Sequence, residues 1–217
     1  MTYPNSSSST LALLGGAGKA GRPLVQAALQ AGHRVRLLLR HPALFPLQHA
    51  QLTIIEGDAR DPAALRQLLT GSTALLSTLG NPREAGTPIL SDVTAALVAL
   101  LPELGISRYV TVTSLYDTGH PQPDAATQQA ADYMQQHFPA FMADRRSELA
   151  LLAGSALDWT CVRLPLVVDS PATGAVQTSL THRPGAQITA ADLAQFLLGQ
   201  LGSTEFVRQC PFVANRE

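Results

Sequence analysis

Apolar and polar positions alternate along this chain in blocks, not residue by residue. Short continuous apolar runs occur at Thr10 to Leu14, Val35 to Leu39, Leu52 to Ile55, Thr73 to Thr78, Tyr109 to Thr113 and Trp159 to Leu164. Runs of that length and continuity predict strands covered on both faces. Between them lie stretches with helical spacing: Arg22 to Ala31, a helix through Leu69 opened by Asp61-Pro62, and Ile89 to Leu104. Asp before Pro predicts a cap followed by a first helical residue whose missing N–H is harmless. Helical signal resumes near Ala125, breaks at Pro139 and runs on to Ala153. A late helix spans Ala190 to Leu201, and Phe206 to Val213 reads as a last strand. Strand and helix in alternation predict an α/β, Rossmann-like doubly wound sheet, mostly parallel, with helices on both faces. The stretch from Pro165 to Gly185 reads as a long loop of the kind that forms a lid or pocket wall.

Composition narrows the class. The 217 residues suit one domain, here residues 10–217 behind a flexible polar lead-in of residues 1–9. Hydrophobic residues make up 46% and charged ones 14%, enough for a sizeable core. A net charge of −1 without a basic run gives no expectation of nucleic acid or an anionic membrane as partner. No apolar stretch has the length of a bilayer span, and the first nine residues lack the pattern of a signal peptide. The expected location is the cytoplasm and the expected partner a small-molecule substrate, with room for a homo-oligomer. Cys161 and Cys210 have no metal or redox spacing and read as two buried thiols. The histidines show no metal-ligand spacing, so no metal site is expected.

The chemistry concentrates in Leu14-Gly15-Gly16-Ala17-Gly18-Lys19-Ala20-Gly21, between the first strand and the first helix. A glycine turn there lets backbone approach a diphosphate, and the helix start offers N–H groups and a positive dipole end. The glycines fit two registers, Gly16-x-Gly18-x-x-Gly21 and Gly15-x-x-Gly18-x-x-Gly21. A phosphate-loop NTPase is disfavoured, because Ala20 stands where a magnesium-binding Ser or Thr belongs. The cofactor-binding candidates in this loop are Gly15, Ala17, Gly18, Lys19 and Ala20. Lys19, the chain's sole lysine, either attracts a polyanion or points into water.

Ligands of such sheets sit beyond the strands' carboxyl ends. Arg40 follows the second strand, where an acidic residue would select the unphosphorylated dinucleotide. A guanidinium pairs instead with a 2′-phosphate, which favours NADP (NADPH) over NAD. Asp58, beside Ala59, either accepts from an adenine amino group or caps the next helix, and Asp61 is the better cap. Leu79 and Gly80 let backbone pass a ribose or the diphosphate. Thr113 and Ser114 offer hydroxyls at the nicotinamide end, and Pro165 with Leu166 shapes the pocket wall and frees a backbone group for the carboxamide.

A tyrosine followed four residues later by lysine, the usual acid of such enzymes, does not occur. Tyr133 and His137 share that spacing but read as an ordinary helix face. Ser114 is left as the candidate catalytic residue, in a positioning role.

The segments Gly15 to Gly21, Gly32-His-Arg-Val-Arg-Leu-Leu-Leu-Arg40, Gly57-Asp58, Arg108 to Ser114, Leu157 to Arg163 and Ile188 to Leu193 carry a family resemblance. The chain resembles the atypical short-chain dehydrogenase/reductases with an NAD(P)H-binding domain. It is most similar to the flavin reductase/biliverdin-IXβ reductase group and its NmrA-like relatives. The resemblance implies Arg40 at the 2′-phosphate, Asp58 near adenine, and Thr113 and Ser114 beside the nicotinamide. It departs at Leu44, where the reductase group often has a second basic residue, and at Gly16-Ala17, where Ala-Thr is common. The implied function is hydride transfer from NAD(P)H to a small planar conjugated acceptor such as a flavin, quinone or tetrapyrrole. The alternative is a non-catalytic NmrA-like NADP-binding redox sensor.

Overall fold

A computed structural model of the chain describes residues 8–81 and 88–216. The first strand, β1 (Thr10–Leu14), leads through the glycine turn into helix α1 (Gly21–Gln30). Then come β2 (Arg34–Leu39), β3 (Leu52–Glu56), α2 (Pro62–Leu69), β4 (Ala74–Ser77), α3 (Leu90–Glu103) and β5 (Arg108–Thr113). Helices α4 (Ala125–His137) and α5 (Pro139–Gly154) precede β6 (Asp158–Arg163). The chain closes with β7 (Leu166–Val168), β8 (Val176–Ser179), β9 (Gln187–Thr189), α6 (Ala190–Gly199) and β10 (Phe212–Asn215).

Eight strands form one sheet in the order β3-β2-β1-β4-β5-β6-β10-β8, and β7 pairs with β9 in a small second sheet. Every pairing of the large sheet is parallel except β10 with β8. The chain winds outward from β1 through β2 and β3, then crosses back to β4. A crevice therefore opens between the carboxyl ends of β1 and β4, where the connections part to opposite faces.

The alternation of side chains along β1 divides the core. Leu11 and Leu13 pack with α1 and α6 on one face, and Ala12 and Leu14 pack with α2, α3 and α5 on the other. Asp61 caps α2 as expected, its carboxylate accepting from the Ala63 amide at 2.9 Å. Pro139 is the first residue of α5, so the break in the helical signal separates two helices.

Two expectations need correction. The last strand begins at Phe212, not Phe206, because residues 205–208 form a turn. The stretch from Pro165 to Gly185 is not an unstructured loop, since it carries β7 and β8. Of the expected flexible lead-in, residues 1–7 lie outside the described residues. Ser8 and Ser9 are tied down: Ser8 Oγ donates to the Gly32 carbonyl at 2.9 Å, and the Ser9 amide donates to His33 Nδ1 at 3.3 Å.

Candidate functional site: a glycine-walled crevice at the switch point

The turn after β1 is built for close approach. Gly15 has φ +77°, and a Cβ there would lie 2.6 Å from the backbone carbon of Thr78. A Cβ on Gly16 would meet a Leu37 methyl at 2.4 Å, and one on Gly21 the Gly15 carbonyl at 2.1 Å. These three glycines are demanded by the protein itself, so both sequence registers describe the same turn. Gly18 and Gly80 differ. Among the described residues, a Cβ on Gly18 would touch only the Gly15 carbonyl, at 3.3 Å, and one on Gly80 would meet no atom within 4 Å. The absence of side chains at these two positions keeps space open in the crevice.

The turn holds itself with few bonds. The Gly18 amide donates to the Gly15 carbonyl and the Arg22 amide to the Gly18 carbonyl, each at 3.0 Å. Among the described residues, the amides of Ala17, Lys19 and Ala20 have no protein partner. Helix α1 begins without a capping side chain and without an acidic residue in its first turn. Unpartnered N–H groups at a positive helix end form an anion cradle.

The crevice, about 390 Å³, is lined by Gly15, Ala17, Gly18, Arg40, Asp58, Ala59, Leu79 and Gly80. Eight of the expected site residues are thus brought together. Arg60, Thr78, Asn81 and Ile89 line it as well and were missed from sequence. Arg60 matters most. Its Nε and Nη2 donate to the two oxygens of Asp58 at 3.0 and 2.7 Å, and its amide also donates to Asp58 at 2.9 Å. That guanidinium, aided by Arg40, holds the Asp58 carboxyl down at about 2. Arg40 is exposed and its side chain has no hydrogen bond among the described residues. Among the described residues, the rim therefore carries two cations around one carboxylate that Arg60 has already engaged. The Asp58-x-Arg60 spacing in a tight turn was the available signal.

The remaining expected residues lie outside this lining. Lys19 Nζ donates to the Val167 carbonyl at 3.3 Å, spanning from the glycine turn to β7. Ala20 precedes α1. Thr113 Oγ1 accepts from the Leu115 amide at 3.1 Å, whereas Ser114, half-buried, keeps its hydroxyl without a partner among the described residues. Pro165 is buried and Leu166 is exposed. The amides on either side of Pro165 are engaged: the Leu166 amide donates to the Ala186 carbonyl, and the Leu164 amide to the Thr113 carbonyl.

The tyrosines lack a lysine partner. Burial pushes the Tyr109 hydroxyl well above its ordinary range. Tyr116 donates to the Leu164 carbonyl at 2.7 Å and is also raised by burial. Tyr133 is exposed and stacks on His137 with ring centres 4.2 Å apart, as an ordinary helix face does. Among the described residues no group of acidic, histidine and cysteine side chains has the makings of a metal site. None of their helices is long and apolar enough to cross a membrane.

A family model described as NAD(P)H-binding matches residues 15–204. The chain belongs to the NAD(P)H-binding family. Its fold is that of solved short-chain dehydrogenase/reductase structures. One is an enzyme of this class from Veillonella parvula in complex with NADP, 19% identical, covering 96% of this chain and 95% of that one with a TM-score of 0.80. Another is ChuY, an anaerobillin reductase from Escherichia coli O157:H7, also 19% identical, covering 96% and 98% with a TM-score of 0.79. A third is the oxidoreductase ylbE from Lactococcus lactis, 16% identical, covering 96% and 91% with a TM-score of 0.74. For a member of the NAD(P)H-binding family, the crevice offers what a dinucleotide needs: unpartnered amides for a diphosphate, and glycines where a Cβ would intrude.

Proposed function

We propose that this protein is an NADPH-dependent reductase passing hydride from nicotinamide C4 to a small planar conjugated acceptor such as a flavin, quinone or tetrapyrrole. The observation that carries the reading is the crevice between β1 and β4, with open amides at its centre and two guanidinium groups at its rim. Residues 15–21 would hold the diphosphate, and Arg40 the 2′-phosphate. Arg60 neutralises Asp58, a carboxylate of the crevice that would repel that phosphate, and replaces the second cation missing at Leu44. Asp58 and Ala59 would flank the adenine. Thr113 and Ser114 would lie toward the nicotinamide, with Pro165 and Leu166 on the opposite wall. We take residues 10–217 as one cytoplasmic domain.

The acceptor class follows from the missing acid. Conjugated acceptors can take their proton from water, so orientation suffices and Ser114 would orient. The likeness to ChuY supports a reductase. The same missing acid favours a second reading, a sensor that binds NADP without turnover. Incubation of the purified protein with NADPH and FMN or dichlorophenolindophenol separates the two. Cofactor oxidation supports the reductase; tight binding without oxidation across acceptors supports the sensor.

A further inference from the structure

The two cysteines of the chain face each other across β6 and the segment that runs parallel to it into β10. The Cys161 amide donates to the Gln209 carbonyl at 3.1 Å, and the Arg163 amide to the Pro211 carbonyl at 2.8 Å. Thr160 bridges Gln209, and Arg163 pairs with Phe212. That register leaves Cys161 and Cys210 as direct partners, and both join the core beneath α2, α3 and α5. Neighbouring strands run about 4.8 Å apart, within the roughly 4.4–6.8 Å between α-carbons that a disulfide accepts.

The two sulfurs are unlike. Both are free thiols, Cys161 fully buried and Cys210 half-buried. The two side chains interact across the seam, and the interaction acts oppositely on them. It chiefly holds the Cys210 thiol below its ordinary range against the opposing effect of burial, and the Arg163 guanidinium adds to the lowering. The same interaction, with burial, pushes Cys161 up. Glu148 works against ionisation of either thiol, but its charge is met by Arg145 at 2.7 Å. A half-buried cysteine that ionises more readily, backed by a protonated thiol, is the arrangement of an attacking and a resolving cysteine.

We propose that Cys161 and Cys210 form a reversible disulfide under hydrogen peroxide, which makes the seam between β6 and the segment entering β10 a redox-modification site. The Cys210 thiolate attacks one peroxide oxygen, the O–O bond breaks, and the departing hydroxide leaves as water after taking the proton that Cys210 had released. Cys210 is then a sulfenic acid. The Cys161 sulfur attacks the Cys210 sulfur, the S–S bond forms, and the sulfenic oxygen departs as a second water carrying the Cys161 proton. Two thiols are oxidised and one peroxide is reduced to two waters. A dithiol reverses the bond. The change reaches the loop after β5, because Arg163 donates to the Cys210 carbonyl and also to the carbonyls of Leu115 at 2.9 Å and Asp117 at 3.1 Å.

The chain's single tryptophan, Trp159, is buried on β6 two residues before Cys161 and in the same cluster, so its fluorescence reports on the pair. The test treats reduced full-length protein with hydrogen peroxide under native conditions. It reads thiol count, intact mass, cross-linked peptides and Trp159 emission. The expected result is loss of both thiols and of two hydrogen masses, a peptide joining residues 161 and 210 within one chain, and altered emission that dithiothreitol restores. Cys161→Ser should stop at a Cys210 sulfenic acid that dimedone traps, and Cys210→Ser should leave Cys161 unreacted over the same interval. Two thiols surviving peroxide would overturn the proposal. So would a disulfide between chains, over-oxidation of Cys210 with Cys161 still free, or linkage no faster in the native protein than in the guanidinium-unfolded one.

Discussion

Asn215 donates through Nδ2 to Asp192 Oδ2 at 2.7 Å, which fastens the last strand to the first turn of α6. Asp192 is almost wholly buried and also receives the Thr173 amide at 2.8 Å, the hydroxyls of Thr173 and Thr189 at 2.9 Å, and the Gly174 amide at 3.0 Å. Burial alone would raise its pKa. The donated bonds outweigh burial and hold the carboxyl below its ordinary value of 3.8. A depressed folded-state pKa stabilises the fold above the unfolded value, and that stability is lost as pH falls through the folded one. Asp192→Ala should cost about 3 kcal/mol at neutral pH by stranding these donors. The difference from the wild type should shrink below pH 3.8, measured by denaturant unfolding across pH.

Arg40→Ala should weaken NADPH at least about tenfold, the loss of one charge-assisted contact, and leave NADH almost unchanged. Titration of both cofactors by fluorescence decides it. Equal losses would remove Arg40 from the 2′-phosphate.

Arg60→Ala should act in the same direction by a second route. It deletes a rim cation and releases Asp58, whose carboxylate then repels a 2′-phosphate. Adding Asp58→Asn to Arg60→Ala should restore part of the NADPH affinity. No recovery in the double variant would mean that Arg60 acts only through its own charge.

Gly15 and Gly80 separate folding from binding. Gly15→Ala forces a side chain into a left-handed φ and against Thr78 backbone, and should destabilise by about 2 kcal/mol or more. Gly80→Ala meets no atom of the described residues and should change stability by about 0.5 kcal/mol or less, while reducing affinity for either dinucleotide. Thermal melts paired with cofactor titration test both. Unchanged binding in Gly80→Ala would place the ligand elsewhere.

Strands buried on both faces announce themselves as uninterrupted apolar runs, which is why β1, β2 and β5 were legible within about a residue. The glycine turn was legible because its three steric glycines are dictated by local backbone geometry. The end of the chain was not. The residues at 206–209 are apolar or polar in no period, and β10 is placed by pairing with β6 and β8, a long-range fact. Arg60 escaped notice because its role depends on the turn that carries Asp58 back toward Arg40. The pairing of Cys161 with Cys210 is a matter of register between strands 49 residues apart in sequence, which spacing along a chain does not encode.

Lys19 stretches from the glycine turn to the carbonyl of Val167, and no other side chain in the protein bears a primary amine. Acylating reagents aimed at amines thus have a single internal address. The speed at which Lys19 is labelled, followed by mass spectrometry as dinucleotide is added, reads out occupancy of the crevice without any acceptor, turnover or spectroscopic tag.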